Sequence, residues 1–120
     1  MTQHSGLTLA YLGDAVYELL IRKHLIAQGQ TKVDNLHQLA VAYTNAEGQA
    51  QAYFKVEPFL SEEERNIYKR GRNAKSDRKA KSASLTEYRQ ATGLEALFGE
   101  LYLTNQHERI DELMSIIVKK

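Results

Sequence analysis

Four times in this chain a Ser, Thr or Asn stands three residues ahead of a glutamate at the head of an apolar run: Thr44 before Glu47, Ser61 before Glu64, Ser84 before Glu87 and Asn105 before Glu108. Such spacing lets the first side chain accept from a backbone N–H in the opening turn of a helix, while the glutamate reaches back to the cap. The runs that follow repeat apolar residues every three or four positions, the period of a helix face. A chain punctuated this way is committed to helices before its composition is considered.

The first expected helix runs from about Leu7 to Gln28, with Leu9, Leu12, Val16, Leu19, Leu20 and Ile26 as its main apolar content, and Gly29 stops it. A second starts near Asp34 and is expected to bury Leu36, Leu39, Ala40 and Tyr43. The third opens at Thr44, passes Ala50, Tyr53 and Phe54, and ends before Pro58, because a proline disfavours the helical conformation in the residue ahead of it. Ser61 opens a short fourth helix through Ile67 and Tyr68 to Gly71. Ser84 opens "LTEYRQATGLEALFGELYL", and Asn105 caps "HERIDELMSIIVKK", which sets Ile110, Leu113, Met114 and Ile117 on one face. Nothing reads as a strand, since runs of Val, Ile and Thr are few and no hairpin turn occurs. The expected fold class is therefore all-α, a helical bundle in one domain over residues 1–120, with a basic loop at about 69–84.

With no cysteine, the chain has no disulfide framework, no cysteine zinc site and no thiol nucleophile. The start "MTQHSGLTLAYLGDAV" lacks a basic segment followed by an apolar one, and no stretch approaches the length of a membrane span, so a cytoplasmic protein is expected. The net charge of +1 hides an uneven distribution. Between Lys69 and Lys81, "KRGRNAKSDRKAK" holds seven basic residues against the single acid Asp77, leaving nine bases and fourteen acids elsewhere, a balance of −5. A cationic segment on an otherwise acidic body points to a polyanion met at one place.

The first helix also carries two residues that a core helix should avoid, Gly13 and Asp14, side by side. A mid-helix glycine costs about 1 kcal/mol relative to alanine, and a carboxylate beside a core must be paired, hydrated or bound to a metal. Glu95 has a similar setting, on a face with Tyr88, Ala91, Thr92, Phe98, Gly99 and Tyr102. Glycine allows close helix approach, so the two apolar helices are expected to pack tightly and to bring Asp14 and Glu95 to one point. Two converging carboxylates either share a proton or hold a cation. For oxygen ligands alone the natural cation is Mg²⁺, which suits phosphodiester hydrolysis. Glu18 and Glu100 fall where an exposed helix flank could equally put a charge.

Other chemistries lack their residues. The four histidines have no metal-binding partner one turn away, "GRNAKS" lacks the second glycine of a phosphate loop and follows no strand, and there is no G-x-S-x-G elbow. The seven tyrosines lie mostly at core spacing and are expected to pack, with hydrogen-bonded hydroxyls, rather than to stack on bases.

"LAYLGDAVYE" resembles the signature helix of the ribonuclease III endonuclease domain, and "TGLEALFGELYL" resembles its second acidic helix. With "RGRNAKS" between them and no appended domain expected, the chain is similar to the compact bacterial branch of the ribonuclease III family, which lacks the double-stranded-RNA-binding domain. The resemblance implies the ribonuclease III endonuclease-domain fold as a homodimer. It also implies Mg²⁺-dependent cleavage of double-stranded RNA, each subunit cutting one strand to leave 5′-phosphates and short 3′ overhangs. The implied substrate is precursor large-subunit (23S) ribosomal RNA.

Asp14 and Glu95 fall on acids that in the family are catalytic and bind the metal. Two further family acids are replaced here by Ala10 and Thr92, so no two-metal mechanism is assigned. The RNA contacts implied by the matching segment are Arg70, Arg72, Asn73 and Lys75, whereas Lys79 and Lys81 are candidates on charge alone. Two competing readings follow from the same residues: a catalytically inactive module of this fold that binds structured RNA, and a helical adaptor with no RNA affinity.

Overall fold

Three helices begin on a serine whose side chain accepts from the backbone three residues on: Ser5 from Thr8, Ser61 from Glu64 and Ser84 from Glu87, each at 3.1 Å. At Ser61 and Ser84 the glutamate returns the bond, completing two of the four expected capping boxes. The computed structural model describes residues 3–29, 31–74 and 84–119. The helices are α1 (Gly6–Ala27), α2 (Val33–Thr44), α3 (Ala46–Val56), α4 (Glu62–Arg72), α5 (Leu85–Leu103) and α6 (His107–Val118). A 3-10 turn at Glu57–Phe59 carries Pro58 between α3 and α4, and no strand occurs among the described residues. The all-α expectation therefore holds, and no described helix is long and apolar enough to cross a membrane.

Two expected caps are displaced by one residue. Thr44 is the last residue of α2, and Asn45 caps α3 by accepting from the Gly48 N–H at 2.7 Å. Asn45 is extended and serves as the end of one helix and the start of the next, a dual role that the Thr44–Glu47 spacing conceals. Asn105 does not cap α6: its φ of 59° turns the chain after α5, and Gln106 is the N-cap residue. Asparagine tolerates that left-handed conformation, which here takes precedence over capping. Gly29, with φ of 92°, closes α1 as expected.

Helix α5 is the axis of the bundle, packed against α1, α3, α4 and α6. From Ala91 to Leu101 every residue except Glu95 and Glu100 is buried. A helix apolar nearly all round belongs at a centre. The core joins Leu94, Leu97, Phe98 and Leu101 to Val16, Tyr17, Ile21 and Leu25 of α1 and to Ile110, Leu113, Met114 and Ile117 of α6. Leu19 and Ile26, counted among the apolar content of α1, face solvent instead, and Leu39 of α2 is exposed rather than buried.

Glycines set the closest crossings. A β-carbon at Gly13 would overlap the Glu95 carbonyl and sit 2.9 Å from the Gly99 nitrogen, and one at Gly99 would overlap the Leu9 carbonyl. The α1 and α5 backbones therefore touch directly. Arg109 of α6 clamps the start of α4, making two bonds of 2.8 Å to the buried Glu64 carboxylate and one of 2.7 Å to the Phe59 carbonyl. The guanidinium holds the Glu64 carboxyl below its ordinary range despite burial.

Candidate active site

The Gly13–Gly99 crossing carries the two acids with it. Gly13 faces α5, so Asp14, one residue and about 100° further round α1, projects at the rim of that contact. The Glu95 carbonyl lies against Gly13, and the Glu95 side chain reaches the same rim from α5. The two carboxyl groups come within hydrogen-bonding reach of each other. The surroundings differ between the two acids: Glu95 is half-buried, whereas Asp14 is exposed.

Asp14 is thus not held in an apolar stripe, although Leu7, Ala10, Tyr11, Tyr17, Glu18 and Ile21 stand at the spacing of its helix face. Of those neighbours Ala10, Tyr17 and Ile21 turn into the core, but Leu7 and Tyr11 face solvent, Tyr11 at 85% exposure. A single-sequence face of this width contains both the contact with α5 and the open flank beside it. Glu18 belongs to that flank, 3.4 Å from Arg22, and Glu100 is not drawn into the pair.

Burial raises the Glu95 pKa to about 8, assisted by the hydrogen bond and the negative charge of Asp14, while a hydrogen bond from Gln49 acts the other way. The ordinary value is 4.5, so between roughly pH 4.5 and 8 the folded protein keeps a proton that the unfolded chain has released. This contribution is complete below the lower value and is lost as pH rises through the upper one. In EDTA the melting temperature should therefore fall as pH is raised from about 5 to about 8, and Glu95→Gln should remove that slope. A slope unchanged in Glu95→Gln, measured by calorimetry across this range, would rule out Glu95 as its source.

Gln49 is the site residue that sequence reasoning missed. It is 3% exposed, and its Nε2 donates to the Thr44 carbonyl at 2.9 Å and to Glu95 Oε2 at 3.4 Å. Its place three residues before Ala52 and seven before Val56, both buried, was the available signal: a polar residue on the apolar face of α3. Behind the pair lies Tyr17, edge-on to Phe98 at 5.6 Å, its hydroxyl pushed upward in pKa by burial and by the nearby Tyr43 and Glu95. Contrary to the expectation for the tyrosines, that hydroxyl has no hydrogen-bond partner among the described residues.

The Gln49 Oε1 is likewise buried with no partner among the described residues. The carboxylate pair by itself is an all-oxygen donor set. It fits a hard divalent cation that takes one or two carboxylates and keeps most of its water. It does not fit a cation needing many protein ligands: no group of three or more His, Cys, Asp or Glu occurs among the described residues.

The basic residues distribute differently from the expected loop. Lys69, Arg70 and Arg72 lie in the last turn of α4, where cations favour the helix dipole, so the loop begins after that helix. Arg70 donates to the His4 carbonyl and ties α4 to the segment before α1. Arg72 donates from Nε to Asn73 Oδ1 at 3.1 Å and lies 5.8 Å from the Tyr68 ring centre, while Asn73 is the C-cap of α4. Lys75, Lys79 and Lys81 lie outside the described residues.

A family model described as the ribonuclease III domain matches residues 7–106. The chain is 52% identical to Mini-ribonuclease 3 of Enterococcus faecalis over 98% of its own length and 91% of the relative's. It is 47% identical to Mini-ribonuclease 3 of Streptococcus pneumoniae, covering 97% and 92% of the two chains. Among solved structures, a Fusobacterium nucleatum protein superposes with a TM-score of 0.91 at 37% identity, covering 100% of this chain and 98% of the other.

Proposed function

Because this chain belongs to the ribonuclease III family and to the group of Mini-ribonuclease 3 proteins, and is thus a ribonuclease III-type endoribonuclease, we propose that it hydrolyses double-stranded RNA with Mg²⁺ at Asp14 and Glu95. The observation that carries this reading is the convergence of the two acids over a glycine crossing, with Glu95 raised in pKa by burial and by its partner. Such a pair has an unmet need for positive charge.

Asp14 and Glu95 are the metal ligands and the catalytic acids in this reading. Gln49 orients the Glu95 carboxylate through its Nε2. The buried wall of Tyr17 and Phe98 keeps water from the back of the pair. When bound, Mg²⁺ neutralises the acids and stabilises the charge that develops on the phosphoryl oxygens. Arg70, Arg72, Asn73 and the following Lys75, Lys79 and Lys81 supply the RNA grip, acting on phosphates and 2′-hydroxyls rather than on sequence.

The reading includes a homodimer, supported by the exposed Leu7 and Tyr11 beside Asp14 on α1. Two-fold symmetry matches that of an antiparallel duplex and would set one site on each strand. The products are RNAs with 5′-phosphates, the natural substrate is precursor 23S ribosomal RNA, and the setting is the cytoplasm. Incubation of the purified protein with a defined duplex RNA tests the activity. Cleavage to 5′-phosphate products only when Mg²⁺ is present is expected. Retarded but intact RNA would favour the inactive RNA-binding module, and RNA neither bound nor cut would favour the adaptor.

A further inference from the structure

Between α3, α4 and the start of α5 lies a cleft of about 390 Å³, walled by Tyr53, Phe54, Tyr68, Arg72, Arg89 and Gln90. Its floor is a stack of two tyrosines, Tyr53 and Tyr68, with ring centres 3.9 Å apart and planes within 2°. Phe54 is set 5.4 Å from Tyr53 and tilted by 51°, and it is 60% exposed. The exposed ring of Phe54 borders the cleft and leaves an aromatic face open there. Arg72, Arg89, Asn73 and Gln90 edge the same cleft. An aromatic face bordered by two guanidinium groups and two carboxamides has the chemistry of a nucleotide site: stacking for the base, cations for the phosphate, amides for the base edge.

Position adds to composition. On α3, Tyr53 follows Gln49 by four residues, about 6 Å of helical rise, and on α5 Gln90 precedes Glu95 by five, about 7.5 Å, so the cleft is offset from the acid pair toward the end of α3 and the start of α5. We propose that this cleft takes a single unstacked nucleotide, its base on Phe54 and its phosphate toward Arg72 and Arg89, next to the phosphodiester held at Asp14 and Glu95. This inference rests on the proposed nuclease function and adds that a duplex with an unpaired nucleotide near the cut is preferred over a perfect one. A volume near 390 Å³ is at the small end of ligand pockets, suited to one nucleotide rather than to a stacked strand.

Binding in EDTA, where cleavage is stopped, tests this with two RNA stems that differ by one unpaired adenosine, followed by fluorescence anisotropy. The wild type should bind the bulged stem about tenfold more tightly. Phe54→Ala and Arg89→Gln should each bring the two stems to parity with affinity for the perfect stem unchanged, and Phe54→Tyr should keep the preference. Parity in the wild type, or a preference that survives both Phe54→Ala and Arg89→Gln, would overturn the inference and leave the nuclease reading standing. Failure to bind either stem in EDTA while Mg²⁺-dependent cleavage persists would overturn the inference alone, and loss of both binding and cleavage would overturn both. Adenosine monophosphate, titrated alone and followed by NMR, separates the sources: shifts at Phe54 without any bulge preference would refute an RNA-borne nucleotide.

Discussion

Asp14→Asn and Glu95→Gln should each reduce Mg²⁺-dependent cleavage of duplex RNA by about a thousandfold or more while leaving the protein folded. Both changes keep side-chain shape and remove charge, and the loss falls on charge stabilisation, which contributes most where a site is partly desolvated. Glu95→Gln should not destabilise the metal-free protein, since a carboxamide can donate to Asp14 where the raised carboxyl now shares a proton. The same experiment has a thermodynamic arm. Mg²⁺ binding to the native state raises the melting temperature of the wild type by mass action, and either substitution should erase that rise. Full activity in Glu95→Gln would remove the acid pair from the chemistry. Lost activity with an undiminished Mg²⁺ shift would leave both residues catalytic but release them from the metal.

The pairing of Asp14 with Glu95 was legible because the two costs, a helix-weakening glycine and a charge near a core, coincide on each of two otherwise apolar helices. A residue that weakens its own helix must be offset by something outside it, and here that is the direct contact of the α1 and α5 backbones. The exposure of Asp14 was not legible. Helical spacing assigns a residue to a face but cannot divide that face between the contact and its rim, and Asp14 lies at that division. Gln49 was hidden for a related reason. Its role depends on a partner forty-six residues away in sequence, and only the α3–α5 packing makes its amide a neighbour of Glu95.

The cap positions show a different limit. Where Ser61 and Ser84 stand alone before a glutamate, the local signal decides, and the helices begin as expected. Where two candidates adjoin, at Thr44–Asn45 and Asn105–Gln106, the chain must also turn between packed helices, and the turn selects the residue. Asparagine takes the bend in both places, as an extended cap at one and with positive φ at the other. The basic stretch follows the same logic: composition marks Lys69 to Lys81 as one unit, but packing of Tyr68 and Gly71 against α5 keeps its first four residues helical.

Gly13→Ala should destabilise the protein by about 3 kcal/mol or more, read as a lower urea midpoint with an unchanged slope. The sign is the informative part. At an exposed helical position the same substitution stabilises by about 1 kcal/mol, because alanine is the better helix former. At Gly13 the new methyl would overlap the Glu95 carbonyl and crowd the Gly99 nitrogen at 2.9 Å, and both are backbone atoms of a buried helix that cannot swing aside. The strain can be relieved only by moving α1 away from α5. That movement separates Asp14 from Glu95, so cleavage should fall further than the folded fraction does, and the Glu95 pKa should relax toward its ordinary value as the opened crossing admits water and its charged neighbour recedes. Gly99→Ala presses on the Leu9 carbonyl from the other side of the same crossing and should act in the same direction. Because both changes are relieved by one displacement, the double variant should cost less than the sum of the two. A stabilising or neutral Gly13→Ala would show that the helices do not meet backbone to backbone, and the acids would then lose the contact that brings them together.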